Sequence, residues 1–589
     1  MPDNTIFARI KLKAMRKILF TLLFPMLFIF NCSLCFGQSW EWGREAIAKH
    51  DSLGGGEIGG DHSIAVDSKG DVYAFGNFGG QIAFGNDTLT ASGEDLFLVK
   101  YDVNGDFIWV KQIKENLAGG NSSSSVSINN AGEVYVAGYF NDTLSFGIIK
   151  LISTSSYNSY IAKYDANGNF IWAKQATLLN NPNSAIYALS LAADNSGNAY
   201  VAGLFLDTVF IGSDTLKTSP YMEDFFLAKF NTNGNIVWVK QGVAASSASF
   251  NNASSIALDM KDNPFITGSF GDTLIIGRDS LITNNINNGN LFTAKYDSAG
   301  NVLWVNSPIE QNRSSFGSPN SISVDRYGDA YVTGYFVDTL IFGTDMLTYK
   351  VGYGDVFLVK YNGIKGNASW AIQGKNVGSS SWEGFSVASD TAEGGGYLAM
   401  VGQTGPYQIT FGKDSFKLNT AFQNAPILLQ FDSSGTTICG KIFTEGDEDD
   451  GDGIGVGRSG KFVYLGGDLI DTSIFGPDTL PVLANRTELP FIARWKSCTY
   501  IPTDISQIKP NQTIAVYPNP FHNSTTIAVN SEGKHNLEID DITGRKLQWI
   551  AFIGKQYELS SLGLTPGMYF VRVFDETNAL IGTSKIVVQ

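Results

Sequence analysis

Catalysis and metal binding need particular side chains brought together, and this 589-residue chain offers few such groupings. Its four histidines, His50, His62, His522 and His535, are scattered and assemble no Ser-His-Asp or Cys-His constellation. A carboxylate-only glycosidase needs no histidine, merely two converging acids. Most aspartates, however, recur at turns (Asp67, Asp102, Asp165, Asp194, Asp259, Asp297, Asp325), where a scaffold role is the simpler account. The expectation is a protein with no catalytic residues and no required cofactor.

Three stretches imitate ligand sites. The run Glu445–Asp452 concentrates oxygen ligands between two apolar segments; Asp447, Asp449, Asp450 and Asp452 are candidate calcium ligands on a flexible loop, with a solvated charged loop as the simpler alternative. The turns Asp102–Asp106 and Asp165–Asn169 resemble the start of a calcium loop but lack its later bidentate glutamate, so hairpin turns account for them. Gly453–Lys461 contains GxGxxGK, yet no helix pattern follows it, and nucleotide binding is rejected. Aromatic side chains on long connections suit sugar or protein contacts. Trp382 is the first candidate, with Tyr353, Tyr407 and Tyr221 beside it; Tyr157, Tyr160 and Phe250 belong to the same set.

What positions these residues is a repeat. The glycine ending one apolar strand falls at 76, 138, 203, 268, 334, 402 and 467, in steps of 62 to 68 residues. Each unit reads as four strands: A (IAVD), B (VYAFG), C (DLFLVKYD) and D (FIWVKQ). Strand D carries Trp109, Trp172, Trp238, Trp304 and Trp370, with Cys439 in that place in the sixth unit. In strand C, Phe97, Val99 and Tyr101 alternate with Leu96 and Leu98, so both faces are apolar and both must be covered. Tight DSKGD and DVNGD turns suit antiparallel hairpins. Small four-stranded sheets stacked face to face predict an all-β, seven-bladed β-propeller. The seventh unit ends near Trp495 without a tryptophan strand. Residues 40–44, WEWGR, resemble FIWVK, so the N-terminal strand is expected to complete that blade, with Trp42 in the repeat position closing the ring. The long B–C and D–A links would share one face, which is where a ligand site belongs. The pattern IAVDxxGxxYVTGYF…DxFLVKYDxxGNxxWxKQ resembles the secreted bacterial β-propeller repeat family, a likeness that implies the fold and no one activity.

The two ends speak of export. Residues 1–37 hold five basic side chains and one acidic one, all ahead of an apolar run, Ile18–Phe30, as in a cleaved signal peptide. Losing them makes the chain four charges more negative than its formal −15, which disfavours nucleic acid. No later segment is apolar enough to span a bilayer. Cys439 and Cys498 then remain; they are no disulfide framework and no zinc site, and a bridge between them is left open.

The expected domains are 1–37 (signal), 38–497 (propeller), 498–512 (linker) and 513–589 (a β-sandwich). The last contains Tyr517-Pro518-Asn519-Pro520, Asp541–Arg545 with Gly544, Leu564–Tyr569 with Gly567 and Tyr569, and a terminal strand with Lys585. These landmarks resemble the type A sorting domain of the type IX secretion system. The resemblance implies passage through the periplasm, contact with that machinery, and release or attachment to surface lipopolysaccharide. It also gives a reading to a recurring Asp-Thr-apolar element, which resembles the O-glycosylation signal of such bacteria. Its threonines are Thr88, Thr143, Thr208, Thr273, Thr339 and Thr479; the plainer account is a capped turn. The expected function is a secreted or surface-displayed scaffold binding protein or glycan. The alternatives are a carboxylate-based carbohydrate-active enzyme and a structural spacer.

Overall fold

The computed structural model describes residues 40–48, 56–58, 62–115, 122–153, 156–178, 181, 183–218, 222–245, 250–283, 289–312, 314–349, 354–376, 381–389, 395–403, 408–412, 414–417, 425–442, 449–456, 462–469, 473–475, 477–480, 489–496, 514–541, 546–576 and 580–589. The chain divides into two compact units, Met1–Thr499 and Tyr500–Gln589. The predicted signal, 1–37, and the whole predicted linker, 498–512, lie outside the described residues.

The larger unit is all-β and built of antiparallel four-stranded sheets in the order A-B-C-D. The third is typical: Ala185–Ala193, Ala199–Leu206, Glu223–Phe230 and Ile236–Gln241. Alternation drives it, because inner-strand side chains are buried on both faces. Tyr200, Ala202, Phe225 and Leu227 pack toward the fourth sheet, while Val201, Phe226 and Ala228 pack toward the second. The last sheet is discontinuous in sequence. Asp449–Val456, Phe462–Leu469 and Leu489–Lys496 take Trp40–Glu45 as their outer strand, with Trp40 opposite Trp495 and Trp42 opposite Arg494.

Three contacts recur between neighbouring sheets. Strand-D tryptophans donate from Nε1 to the C–D turn of the next unit, Trp172 to Thr232, Trp238 to Ser298, Trp304 to Gly363 and Trp370 to Ser433, at 3.0–3.2 Å. The indole lies under a turn glycine with positive φ; a Cβ on Gly234 (φ 75°) would come within 2.9 Å of Trp172. Strand-B tyrosines reach the next A–B turn, Tyr135 to the Gly197 carbonyl (2.7 Å) and Tyr200 to that of Asp262 (3.2 Å). Nearest the inner edge, the Oγ of Ser125, Ser190, Ser255 and Ser321 accepts the backbone N–H of Leu191, Ile256, Ile322 and Val387 at 2.9–3.2 Å. The last sheet makes the first two contacts with the first sheet: Trp42 Nε1 donates to Val103 (3.2 Å) and the Tyr464 hydroxyl to Gly70 (2.7 Å).

This explains the missing sixth tryptophan. The seventh sheet takes its outer strand from the start of the chain, so no C–D hairpin turn exists there for a tryptophan to dock under. Cys439 fills the place, buried and disulfide-bonded; Cys32, Cys35 and Cys498 lie outside the described residues.

One element was not anticipated. The B–C segment folds into its own hairpin, such as Thr208–Ile211 with Asp214–Lys217, which pairs with a short strand, Thr177–Leu178, trailing the preceding unit. The Asp-Thr-apolar elements therefore occupy two different places. Thr143, Thr208, Thr273 and Thr339 start the first hairpin strand, after an aspartate at φ 58–68°, and each Oγ1 bonds that aspartate. Asp87-Thr88 and Asp478-Thr479 start the second strand, opposite Phe84 and Phe475.

The smaller unit is a sandwich of two sheets, Ala515–Tyr517, Ser524–Ala528 and Gln556–Ser560 against Lys546–Ile553, Lys534–Asp541, Gly567–Phe574 and Leu580–Val588. Its core includes Ile527, Leu537, Ile539, Val571, Val573 and Ile586.

Candidate functional site

Turn aspartates are spent on the backbone. Asp102 Oδ1 accepts the N–H groups of Asn104 and Asp106, both at 2.8 Å, and Asp165, Asp194, Asp259 and Asp325 repeat the pattern. Hydrogen bonding to Asn169 is the main reason that Asp165 is held below the usual carboxylate range. Lys100, Lys295 and Lys360 are buried against Asp67 and Asp71, Asp259, and Asp325 and Asp329. A group repeated in this way belongs to the scaffold.

What does not repeat lies at the opposite end of the strands, on the side of the B–C and D–A links. The residue after each strand-B glycine is Asn77, Tyr139, Leu204, Ser269, Tyr335, Gln403 or Asp468. Scaffold demands are the same in every unit, so a register position that holds six different residues in seven units is free of them. In the first sheet, Asn77 Nδ2 donates to Glu57 (2.9 Å) and Glu94 (2.8 Å), and its Oδ1 accepts from Ser123 of the second sheet (3.4 Å). Between the second and third, Tyr139, Tyr157 and Tyr187 pack with centroids 5.0–5.6 Å apart. Burial, then the charges of Tyr157, Tyr139 and Glu223, push the Tyr187 hydroxyl up, and burial raises the Glu223 carboxyl. Between the fifth and sixth, Phe316 stands edge-on to Tyr335 at 6.0 Å, while Asn320 holds Glu383 at 2.8 Å. Burial raises the Tyr335 hydroxyl, with the Glu383 charge adding to it. These rim positions carry half-exposed aromatics and carboxylates. Such a surface offers flat apolar faces beside hydrogen-bonding groups.

Of the sequence candidates, Tyr157 is part of this cluster. Trp382 is not on a loop: it lies in strand Ser381–Ser389 opposite Gly402, and its side chain is outside the described residues. Tyr160 is buried in strand Asn158–Tyr164, where alternation puts it in the core. Tyr221, Tyr353 and Tyr407 lie outside the described residues. Tyr139 and Tyr335 each follow a motif glycine and read in sequence as more of the strand, with the unit-to-unit change at that place as the available signal; Tyr187 lies in strand Ala185–Ala193 opposite Leu204, where alternation alone does not single it out.

The acidic run also differs from expectation. Asp449, Asp450 and Asp452 belong to strand Asp449–Val456, paired with Phe462–Leu469, rather than to a loop; their side chains and the whole of Asp447 are outside the described residues. Among the described residues no cluster of three or more potential metal ligands occurs. Of the threonines, Thr88 is exposed, Thr143, Thr208 and Thr273 are half-buried, and Thr339 is buried, its hydroxyl turned to Asp338. The side chain of Thr479 is not described.

His62 does meet a serine. Its Nε2 lies 2.5 Å from Ser255 Oγ, three units away in sequence. Desolvation lowers the imidazole to about 4, which makes a weak base. Ser255 is fully buried and its Oγ already accepts the Ile322 N–H. The pair is built as a tie.

In the sandwich, the sorting landmarks converge. Asn519 accepts the Val587 N–H at 2.8 Å and donates to the Lys585 carbonyl at 2.6 Å, pinning the terminal strand behind Tyr517, Pro518 and Pro520. Thr525 donates to the Pro518 carbonyl, and the Tyr569 hydroxyl donates to Thr565 in the turn before Gly567. Gly544 lies outside the described residues. Residues 515–589 match the secretion system C-terminal sorting domain family. This is a type IX sorting tail. The sorting tail directs the chain to the cell surface or the extracellular space and implies contact with the type IX machinery. Among the described residues no helix is long and apolar enough to cross a membrane.

The remaining likenesses are distant. A stretch of 225 residues is 28% identical to WD repeat-containing protein L264 of Acanthamoeba polyphaga mimivirus, covering 32% of this chain and 15% of that protein. A fungal alcohol oxidase of the AA5 family, in complex with copper, is 12% identical with a TM-score of 0.31, covering 92% of this chain and all of the other. PorZ, a surface component of the type IX system of Porphyromonas gingivalis, is 10% identical with a TM-score of 0.14, covering 93% of this chain and all of the other. Likenesses of that size carry nothing about activity.

Proposed function

We propose that residues 38–497 form a seven-bladed β-propeller, akin to the secreted bacterial β-propeller repeat proteins and closed by the strand that carries Trp42. It acts outside the cell as a non-enzymatic scaffold that holds a glycan on its rim. Closure is supported by the bonds from Trp42 to Val103 and from Tyr464 to Gly70, which copy those between internal neighbours. The glycan reading rests on one observation. The positions that vary between units gather tyrosines, carboxylates and amides at one end of the strands, and stacked aromatics beside hydrogen-bonding groups suit sugar rings. After removal of the sorting tail the scaffold is released or attached to lipopolysaccharide.

A second reading has an observation of its own. Glu57 and Glu94 share one amide hydrogen-bond donor, so their carboxylates lie within about 6 Å, near the spacing of retaining glycosidases. The Asn77 amide fills the space between them, which favours binding over hydrolysis. The test is a glycan array probed with the chain from residue 38 onward, with substrate turnover followed in parallel. Retention of defined glycans, lost in Tyr139→Ala and Tyr187→Ala, is expected; no retention above background overturns the reading, and released sugar would replace it with the hydrolase.

A further inference from the structure

A cleft of about 350 Å³ lies between the second and third sheets, running from Ser159 and Ala188, which neighbour the rim tyrosines, to Gly234 and Asn235 in the C–D turn. Its base is apolar: Ile161 from the second sheet, and Ile211, Phe226, Phe230 and Ile236 from the third. Its mouth is polar, formed by Lys174, Ser213 and Asn235. That is the composition of a small-molecule site, apolar walls with a few converging polar groups, at the lower end of the usual size range.

The lysine distinguishes this cleft from its repeats. Lys111, Lys174 and Lys240 occupy one position in successive strand-D segments, each running beside the glycine of the next C–D turn, Gly168, Gly234 and Gly300. Among the described residues none of the three forms an ion pair, but Lys111 and Lys240 each face an aspartate. Each lies within 6.0 Å of the neighbouring indole, Trp109 or Trp238, and each adds its charge to the turn hydrogen bonds that chiefly hold the facing aspartate, Asp165 or Asp297, below the usual carboxylate range. Facing Lys174, that position is Asn231, whose Oδ1 still accepts the turn N–H groups of Asn233 and Asn235, both at 3.0 Å. The turn therefore keeps its shape while the negative charge is removed. Lys174 is half-buried and runs beside the Trp172 ring at Gly234, but it has no facing carboxylate at this position. A charge left without its repeat partner at the mouth of an apolar cleft attracts an opposite charge carried on an apolar body.

We propose that this cleft binds a small amphipathic anion: a carboxylate, sulfate or phosphate headgroup on a hydrocarbon or aromatic body. The headgroup pairs with the Lys174 ammonium and accepts from Ser213 and Asn235, while the body lies against Ile211, Phe226, Phe230 and Ile236. This is independent of the rim and of closure.

The probes are decanoate and octanesulfonate, with decanol as the neutral match, titrated calorimetrically into the mature chain. Saturable one-to-one binding of both anions is expected, with decanol at least tenfold weaker. Lys174→Gln should weaken the anions about tenfold. Asn231→Asp, which restores the carboxylate found in neighbouring units and so preserves the turn, should weaken them to a similar extent with the melting temperature unchanged. No saturable binding up to millimolar probe, decanol binding as tightly as decanoate, or Asn231→Asp binding as the parent does would each overturn the proposal. A sulfonate that binds while decanoate does not would also contradict it, since the cleft's chemistry asks only for an anionic head.

Discussion

At the residue scale the fold depends on glycines that tryptophans lie against. Gly234 has φ 75° and its Cβ position is already taken by the Trp172 ring at 2.9 Å. Alanine there meets both a left-handed backbone and an indole, and the cost should be about 2–3 kcal/mol. Urea unfolding of Gly234→Ala checks this; a change below about 0.5 kcal/mol would mean that the turn and the indole are not coupled. His62 makes a pH-dependent contribution with a definite sign. Its folded value is near 4 while the ordinary value is 6.5, so the unfolded chain binds the proton more readily. Stability is therefore full above about pH 6.5 and falls as the pH drops toward 4, by up to about 3 kcal/mol. His62→Gln should flatten that part of the stability curve, measured by urea midpoints from pH 7.5 to 4.5. An unchanged slope would remove His62 as the cause.

At the element scale, much was legible and the reasons are physical. Period-2 alternation with both faces apolar, as in Leu96–Tyr101, admits little besides stacked sheets. The terminal WEWGR segment could be matched to FIWVK because an outer strand needs the same tryptophan wherever it comes from. The hairpin inside each B–C segment was not legible. Its four-residue strands are too short to show a period, and the two Asp-Thr-apolar sites within it, Thr208 and Thr88 for example, look alike in sequence while sitting on opposite strands. The rim is not legible for a different reason: a repeat conceals a position whose significance is that it changes from unit to unit. Cys439 belongs here too. It takes the place of an indole where no turn is present to receive one, and its disulfide supplies the tie instead. Cys439→Ser should lower stability by about 2–5 kcal/mol, read as a drop in melting temperature that reducing agent reproduces in the parent and not in the variant. Equal sensitivity of both to reductant would place the tie elsewhere.

At the scale of the whole molecule, a repeated scaffold carries a rim of changing residues, and a sorting tail takes it out of the cell. A rim with seven contributors faces one mouth only if the last sheet meets the first, and the strand Trp40–Glu45 is the piece on which that depends. Trp40 and Trp42 are both buried there, at 7% and 4% exposure. Truncating a buried tryptophan costs about 3–5 kcal/mol, so removing the strand should be felt across the repeat array. The most direct measurement is the thermal unfolding of the chain from residue 38 onward, with and without residues 38–45, and with a synthetic peptide of that sequence added back. A melting temperature lower by roughly 5–10 °C, recovered in part by the peptide, is the predicted result. An unchanged melting transition in the truncated chain would contradict closure by the N-terminal strand.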